Sequence, residues 1–385
     1  MIRRRTITSY VWNSVSGNKM VILSNCIRNF FRKFELIGNS VQGENPAPEN
    51  PQEIKSAGKW NEETQKYEVD VKVTGKNLFD QSKLISGFIN ITTGAFEESA
   101  NTSFANSLIL DKPILLKSGQ TLVTSVDNKY VQNFLRYRTY RKDGTFLINN
   151  EPLSFSYKAT EDLYVIALFY NGMSEEDKKS LQIEISDEPT TYEPYTEQTV
   201  QIALDEPLRG IVRINDGKNM QETLNSSGIT RRFKRVEITK DTPITYTLGQ
   251  YGAPETNTVI CRYKDASLKK AGAILCGELK NINNWTADKE SVSMTEQGID
   301  FRLSRERLGL GSDTTPEENK VAVIKYLTDH PLHCVAELNV PTTEPLPESV
   351  QQQLQALHSE NGTTHVFVDS GEVEAGINIE YKYKS

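Results

Sequence analysis

Four histidines, His330, His333, His358 and His365, all fall near the C-terminal end of the 385-residue chain. The segment "HPLHC" brings His330, His333 and Cys334 close in sequence, and these residue types ligate zinc. A zinc centre needs a fourth ligand and converging directions. If Leu332 opens a strand, His333 and Cys334 point to opposite faces, so neither metal nor cofactor is expected. The four cysteines, Cys26, Cys261, Cys276 and Cys334, form no CxxC pair. They read as neutral thiols of a protein made in reducing cytosol, with a Cys261–Cys276 bridge across a hairpin left open. A glycosidase needs two carboxylates held within about 5–10 Å. Glu161-Asp162 and Glu175-Glu176-Asp177 read instead as solvated turns and a helix start. P-loop, GxSxG and HExxH motifs are absent. No catalytic residue is assigned.

Binding chemistry is better represented. Sugar rings stack their C–H faces on aromatic side chains, and nearby planar polar groups read their hydroxyls. The residues of those types are Tyr130, Arg136, Arg138, Tyr140, Tyr170 and Asn171, with Tyr137 close by. Along "FLRYRTYR", Leu135, Tyr137 and Thr139 share one face of a strand, while Arg136, Arg138 and Tyr140 share the other. The second face is taken as outward. The competing reading places these tyrosines in the core or in a subunit interface, and the same holds for Trp285.

The chain carries 44 basic and 51 acidic residues, a formal net charge of −7. That balance argues against nucleic acid as the main partner, because phosphate neutralisation needs concentrated Lys and Arg. Charge is uneven: Met1 to Phe34 holds no Asp or Glu. No apolar run approaches the roughly 20 residues needed to cross a bilayer, and no signal peptide is recognisable. Residues 1–34 form a basic segment in which Ile22 to Phe34 could make an amphipathic helix. Such a helix would dock on a partner subunit, the preferred reading, or lie on a membrane surface.

The elements that must position these residues are mostly short strands. "KYEVDVKVTG" turns Tyr67, Val69, Val71 and Val73 one way and Glu68, Asp70 and Lys72 the other, the pattern of a half-buried strand. "GFINITTGAF" predicts a hairpin with Thr93-Gly94 at its tip, and Lys142-Asp143-Gly144 predicts another turn. Short helices are expected at Ser174–Leu181, capped by Ser174 with Asp177, at 316–330, and at 347–359. In the second helix Val321, Ile324, Tyr326 and Leu327 should form the apolar face. "THVFVDSG" and "INIEYKYKS" are expected to close the chain as an antiparallel pair. The fold class is mainly β, with two or more antiparallel β-sandwich, jelly-roll-like modules and a few short helices. The expected divisions are 1–34, a linker with connecting strands at 35–75, a carbohydrate-binding-module-like sandwich at 76–200, and a second β-rich module at 201–385.

Four segments follow one another in a recognisable order: "ELIGNSVQGENPAPENPQEIKSAG", "VTGKNLFD", "IEISDEPTTYEPYTEQTVQIALDEPLRGI" and "HPLHCVAELNVPTTEPLPESVQQQLQAL". Together they resemble minor structural tail proteins, or tail-fibre-like proteins, of bacteriophages and prophages of Gram-positive bacteria. The resemblance runs discontinuously from Glu35 to the C-terminus, and Met1 to Phe34 lies outside it. It implies a non-enzymatic virion component at the tail tip or baseplate, made in the bacterial cytoplasm. It also implies other tail proteins and bacterial surface carbohydrate as partners, and a homo-oligomer, trimeric by analogy with fibres. A surface-polysaccharide hydrolase and a purely structural adaptor remain the alternatives. Physically, Tyr192, Pro194 and Tyr195 read as a stiff joint between β modules, because Pro194 fixes one φ and has no amide hydrogen.

Overall fold

The computed structural model describes residues 4–9, 18–26, 33–98, 106–125, 135–147, 156–169, 173–246, 257–282, 289–357 and 362–382. The fold is mainly antiparallel β with few short helices. Among the described residues no helix is long and apolar enough to cross a membrane.

Two large sheets draw on both ends of the chain. One has seven strands in the order Arg4–Ser9, Gly376–Lys382, Lys33–Ile37, Thr223–Asn225, Gly228–Ile238, Leu332–Pro345, Ile274–Cys276. The other runs Glu197–Leu204, Lys66–Thr74, Gly362–Asp369, Asn18–Cys26. Between them lies a core built from period-two alternation: Phe34 and Leu36, then Val69, Val71 and Val73, then Val200, Ile202 and Leu204. The helix Glu348–Ala356 adds Leu354, followed by Leu357. The segment 35–75 therefore supplies a central strand to the same core as 197–204 and 362–379.

Two expectations are corrected here. "THVFVDSG" and "INIEYKYKS" do not pair with each other. Gly362–Asp369 pairs with Lys66–Thr74 and Asn18–Cys26, while Gly376–Lys382 pairs with Arg4–Ser9 and Lys33–Ile37. The amphipathic helix over 22–34 is replaced by strands Asn18–Cys26 and Lys33–Ile37. A short apolar run fits either period, and pairing with distant strands decides the outcome: Asn18–Cys26 pairs with Gly362–Asp369, and Lys33–Ile37 lies between Gly376–Lys382 and Thr223–Asn225.

A second core gathers beneath the four-stranded sheet Ile244–Tyr246, Thr258–Tyr263, Gly298–Ser304, Ser291–Thr295. The helix Pro316–Asp329 packs on it and is capped as the sequence predicts. Thr315 accepts the Glu318 N–H, Glu318 reaches back to Thr315, and Pro316 opens the first turn. Of the expected face Leu327 is buried and Tyr326 packs against the core, but Val321 is 60 % exposed, and Asn319 and Val323 complete the buried side. Asn319 is tolerated inside because Thr314 bonds its side chain at 2.7 Å.

The third core lies within residues 78–185. A sheet ordered Phe146–Leu147, Leu135–Arg141, Leu163–Phe169, Leu108–Leu110, Leu84–Ser86 faces a three-stranded sheet, Ser156–Lys158, Thr121–Ser125, Gln182–Ile185. Phe79, Leu116, Leu122, Leu135, Tyr137, Val165, Phe169 and Ile183 are among the residues that fill the space between. The helix Glu175–Ser180 carries the predicted box between Ser174 and Asp177.

Candidate functional site

The expected inward face of Leu135–Arg141 is inward. Leu135, Tyr137 and Thr139 are buried, and the Tyr137 hydroxyl shares a hydrogen bond with the Thr124 hydroxyl. Burial pushes the Tyr137 phenol well above its usual pKa, and the bond to Thr124 offsets only part of that.

The other face is not the open platform that alternation implies. Arg138 is 3 % exposed, and Arg136 and Tyr140 are half-buried. The hairpin Phe88–Ile89/Phe96–Glu97 roofs this face. Its turn places Gly94 above Tyr140, whose hydroxyl donates to the Gly94 carbonyl at 2.7 Å. The Tyr140 ring tilts against Phe146 at 5.2 Å, and both pack with Phe88, Ile89, Ile109, Ile166 and Leu168. Burial raises the Tyr140 pKa, and the nearby Arg138 charge pulls it partly back. Gly94 has φ +71°, and a Cβ there would meet Phe146 Cγ at 2.3 Å, so only glycine lets the roof close. Alternation tells which side of a sheet a residue takes; it is silent on what lies over that side.

Arg136, Arg138 and Tyr140 are thus brought together on one strand face. Tyr130, Tyr170 and Asn171, like Trp285 and His358, lie outside the described residues. Apolar surface is instead exposed on and beside the roof: Ile91 at 50 %, Phe96 at 47 % and Ile85 at 41 %.

The connections that carry this unit run side by side. Gly75 N–H donates to the Thr196 carbonyl at 3.3 Å. Asn77 binds on four sides: its Nδ2 donates to the carbonyls of Leu181 and Glu193, and its Oδ1 accepts Phe79 N–H and Ile183 N–H. Buried Gln182 and Glu184 hold the returning chain, with Glu184 accepting Thr190 N–H at 2.7 Å and Gln182 accepting Glu193 N–H at 2.8 Å. Lys76 pairs with Glu193 at 3.0 Å. Burial and the Glu197 carboxylate both drive the Tyr195 phenol far above its usual pKa. The aromatic, proline-containing block at 189–196 is therefore strapped to both crossings rather than free.

A cleft of about 690 Å³ is lined by Glu237, Glu278, His330 and His333, among others. His333 projects toward it while Cys334 turns into the core, as a strand beginning at Leu332 requires. His333 Nδ1 and Glu278 Oε1 lie 2.8 Å apart, and Nε2 is 3.6 Å from Glu237. Glu278 Oε2 accepts the His333 N–H at 2.8 Å and the Cys276 thiol at 3.3 Å. Both Glu278 oxygens are thus occupied by neighbours, which suits an anchor for two strands better than an acid or base. Nothing in "LCGEL" announces this role, since it depends on a pairing between distant strands. His330 stacks on Tyr326 at 4.7 Å. Among the described residues, no group of three or more His, Cys, Asp or Glu is arranged to hold a metal ion. Cys261, Cys276 and Cys334 are buried and free. Cys261 lies opposite Phe301 and Cys276 opposite Cys334, so the hairpin bridge between Cys261 and Cys276 is not formed.

No family model, no curated protein and no solved structure matches the chain.

Proposed function

We propose that the chain is a non-catalytic, multi-module β component of a phage tail tip or baseplate that contributes to attachment to the host surface. The observation that carries this reading is the double strap at Asn77, Gln182 and Glu184. It fixes a β unit with its own core to the strands Lys66–Thr74 and Glu197–Leu204. A particle that must present a contact surface needs such a fixed mounting, because a flexible tether spreads the surface over many orientations. The contact surface itself is the outer side of the roof, where Phe96 and Ile91 are exposed, together with the half-buried Arg136 of the strand face beneath. Arg supplies planar donors to hydroxyl and anionic groups, and the apolar side chains supply stacking area. The sequence resemblance to tail proteins points the same way, including toward a homo-oligomer.

Incubation of the purified full chain with wall polysaccharide from Gram-positive bacteria tests the reading. Retention on the polysaccharide without release of reducing ends is the expected result. Released reducing ends would replace it with a hydrolase. Absence of retention, together with a stable complex with other tail proteins, would reduce it to a structural adaptor.

A further inference from the structure

The strand Ile274–Cys276 is only three residues long and forms the edge of the seven-stranded sheet. Its register against Leu332–Pro345 sets Ile274 opposite Ala336, Leu275 opposite Val335 and Cys276 opposite Cys334. Gly277 N–H donates to the His333 carbonyl at 2.9 Å, and Glu337 N–H to the Ala273 carbonyl at 2.9 Å. These bonds place the hydrogen-bonded rungs at alternate positions. The cysteines therefore fall on the non-hydrogen-bonded rung between them. Facing Cα atoms on such a rung are about 4.5 Å apart, inside the roughly 4.4–6.8 Å window that disulfides occupy. Both side chains turn into the same core and are 0 % and 2 % exposed. The neighbouring Cys276 thiol together with burial pushes the Cys334 pKa well up. Cys261 shares the core but sits in the other sheet, opposite Phe301.

We propose that Cys276 and Cys334 are a redox-active pair that closes into a cross-strand disulfide under oxidising conditions. This goes beyond the attachment reading and does not depend on it. In the folded chain the thiols are shielded, so the bond forms while the chain folds and both are still accessible. With oxidised glutathione as the oxidant, the Cys276 thiolate attacks one glutathione sulfur and the first glutathione leaves as thiolate. The Cys334 thiolate then displaces the second. Two protein thiols are oxidised to one disulfide, and one glutathione disulfide is reduced to two thiols. The bond staples the edge strand and closes the loop of residues 277–333. It also removes the thiol hydrogen that Cys276 gives to Glu278, which keeps its bond from the His333 N–H.

The test is to refold the full chain from denaturant in glutathione buffers of graded ratio, block free thiols, and map peptides by mass without reduction. The expected result is one linked pair, Cys276 with Cys334, with Cys26 and Cys261 blocked as thiols, and the same pair in Cys261→Ser. The oxidised chain should melt several degrees above its reduced form, and Cys334→Ser should lose that dependence on redox state. Four blocked thiols under the most oxidising ratio, or a linkage through Cys261, would overturn the proposal. So would a melting temperature that does not change with redox state.

Discussion

The hydroxyl of Tyr140 donates to the backbone carbonyl of Gly94 at 2.7 Å and so ties a sheet strand to the hairpin that covers it. An outward tyrosine kept for ligand stacking would be dispensable for stability. This one is not. Tyr140→Phe should cost about 1 kcal/mol, the net worth of one hydrogen bond. Tyr140→Ala should cost roughly 3 kcal/mol, because it also empties the contact with Phe146 and Ile166. Urea unfolding of the two variants against the parent measures both, and an unchanged midpoint for Tyr140→Ala would show that the roof does not rest on this ring.

The strap at Asn77 gives a second expectation. Its amide makes four bonds, two of them to the N–H groups of Phe79 and Ile183. Asn77→Ala strands buried backbone donors, each costing roughly 1–3 kcal/mol. Hydrogen exchange should accelerate at Phe79, Ile183 and Glu193 before it does in the core strands Lys66–Thr74 and Leu163–Phe169. Uniform acceleration throughout the chain would show that the strap is not a separate element.

Glu222 is 0 % exposed and accepts from four donors: the N–H groups of Arg209, Arg232 and Phe233, and Arg231 Nη1 at 3.1 Å. Arg231 is itself buried. Glu222→Ala therefore leaves a guanidinium and three N–H groups short of their acceptor in the interior, and the loss should be about 3–5 kcal/mol. Arg231→Met with Glu222→Leu should recover part of it. A double variant no more stable than Glu222→Ala would contradict the ion-pair account.

His365 supplies the pH dependence. It is fully buried in the strand Gly362–Asp369, and burial lowers its pKa from 6.5 to about 4, with a Lys76 backbone group pulling slightly upward. The folded state thus holds a neutral imidazole where the unfolded state binds a proton. Stability is full above pH 6.5, falls as pH drops toward 4, and then levels off with respect to this group. The total is on the order of 3 kcal/mol. Unfolding midpoints between pH 4 and 7 should flatten in a His365→Asn variant that still folds. An equal slope in parent and variant would assign the acid sensitivity elsewhere.

Local structure was legible in the sequence where the signal is local. The Thr315–Glu318 and Ser174–Asp177 boxes, the Thr93-Gly94 turn and the alternation of Val69, Val71 and Val73 all stand where the residues place them. Long-range pairing was not. Nothing in "THVFVDSG" states that its neighbours are Lys66–Thr74 and Asn18–Cys26 rather than the next strand. On Pro316–Asp329 the pattern places Leu327 and Tyr326 correctly but not Val321, because the buried row runs through Val323 and through Asn319, whose side chain Thr314 satisfies. At the candidate site, side-chain alternation sorted Tyr137 from Tyr140, but the hairpin that buries Arg138 could not be read from the strand itself.

Attachment through the roof and the neighbouring Arg136 is tested most directly by adsorption of three chains to Gram-positive wall polysaccharide: the parent, Arg136→Ala and Phe96→Ala. Both substituted side chains keep part of their surface in solvent, so melting temperatures should stay within a few degrees of the parent. Adsorption should fall roughly tenfold, about 1.4 kcal/mol, in each variant. Unchanged adsorption by both variants, with folding intact, would contradict the account.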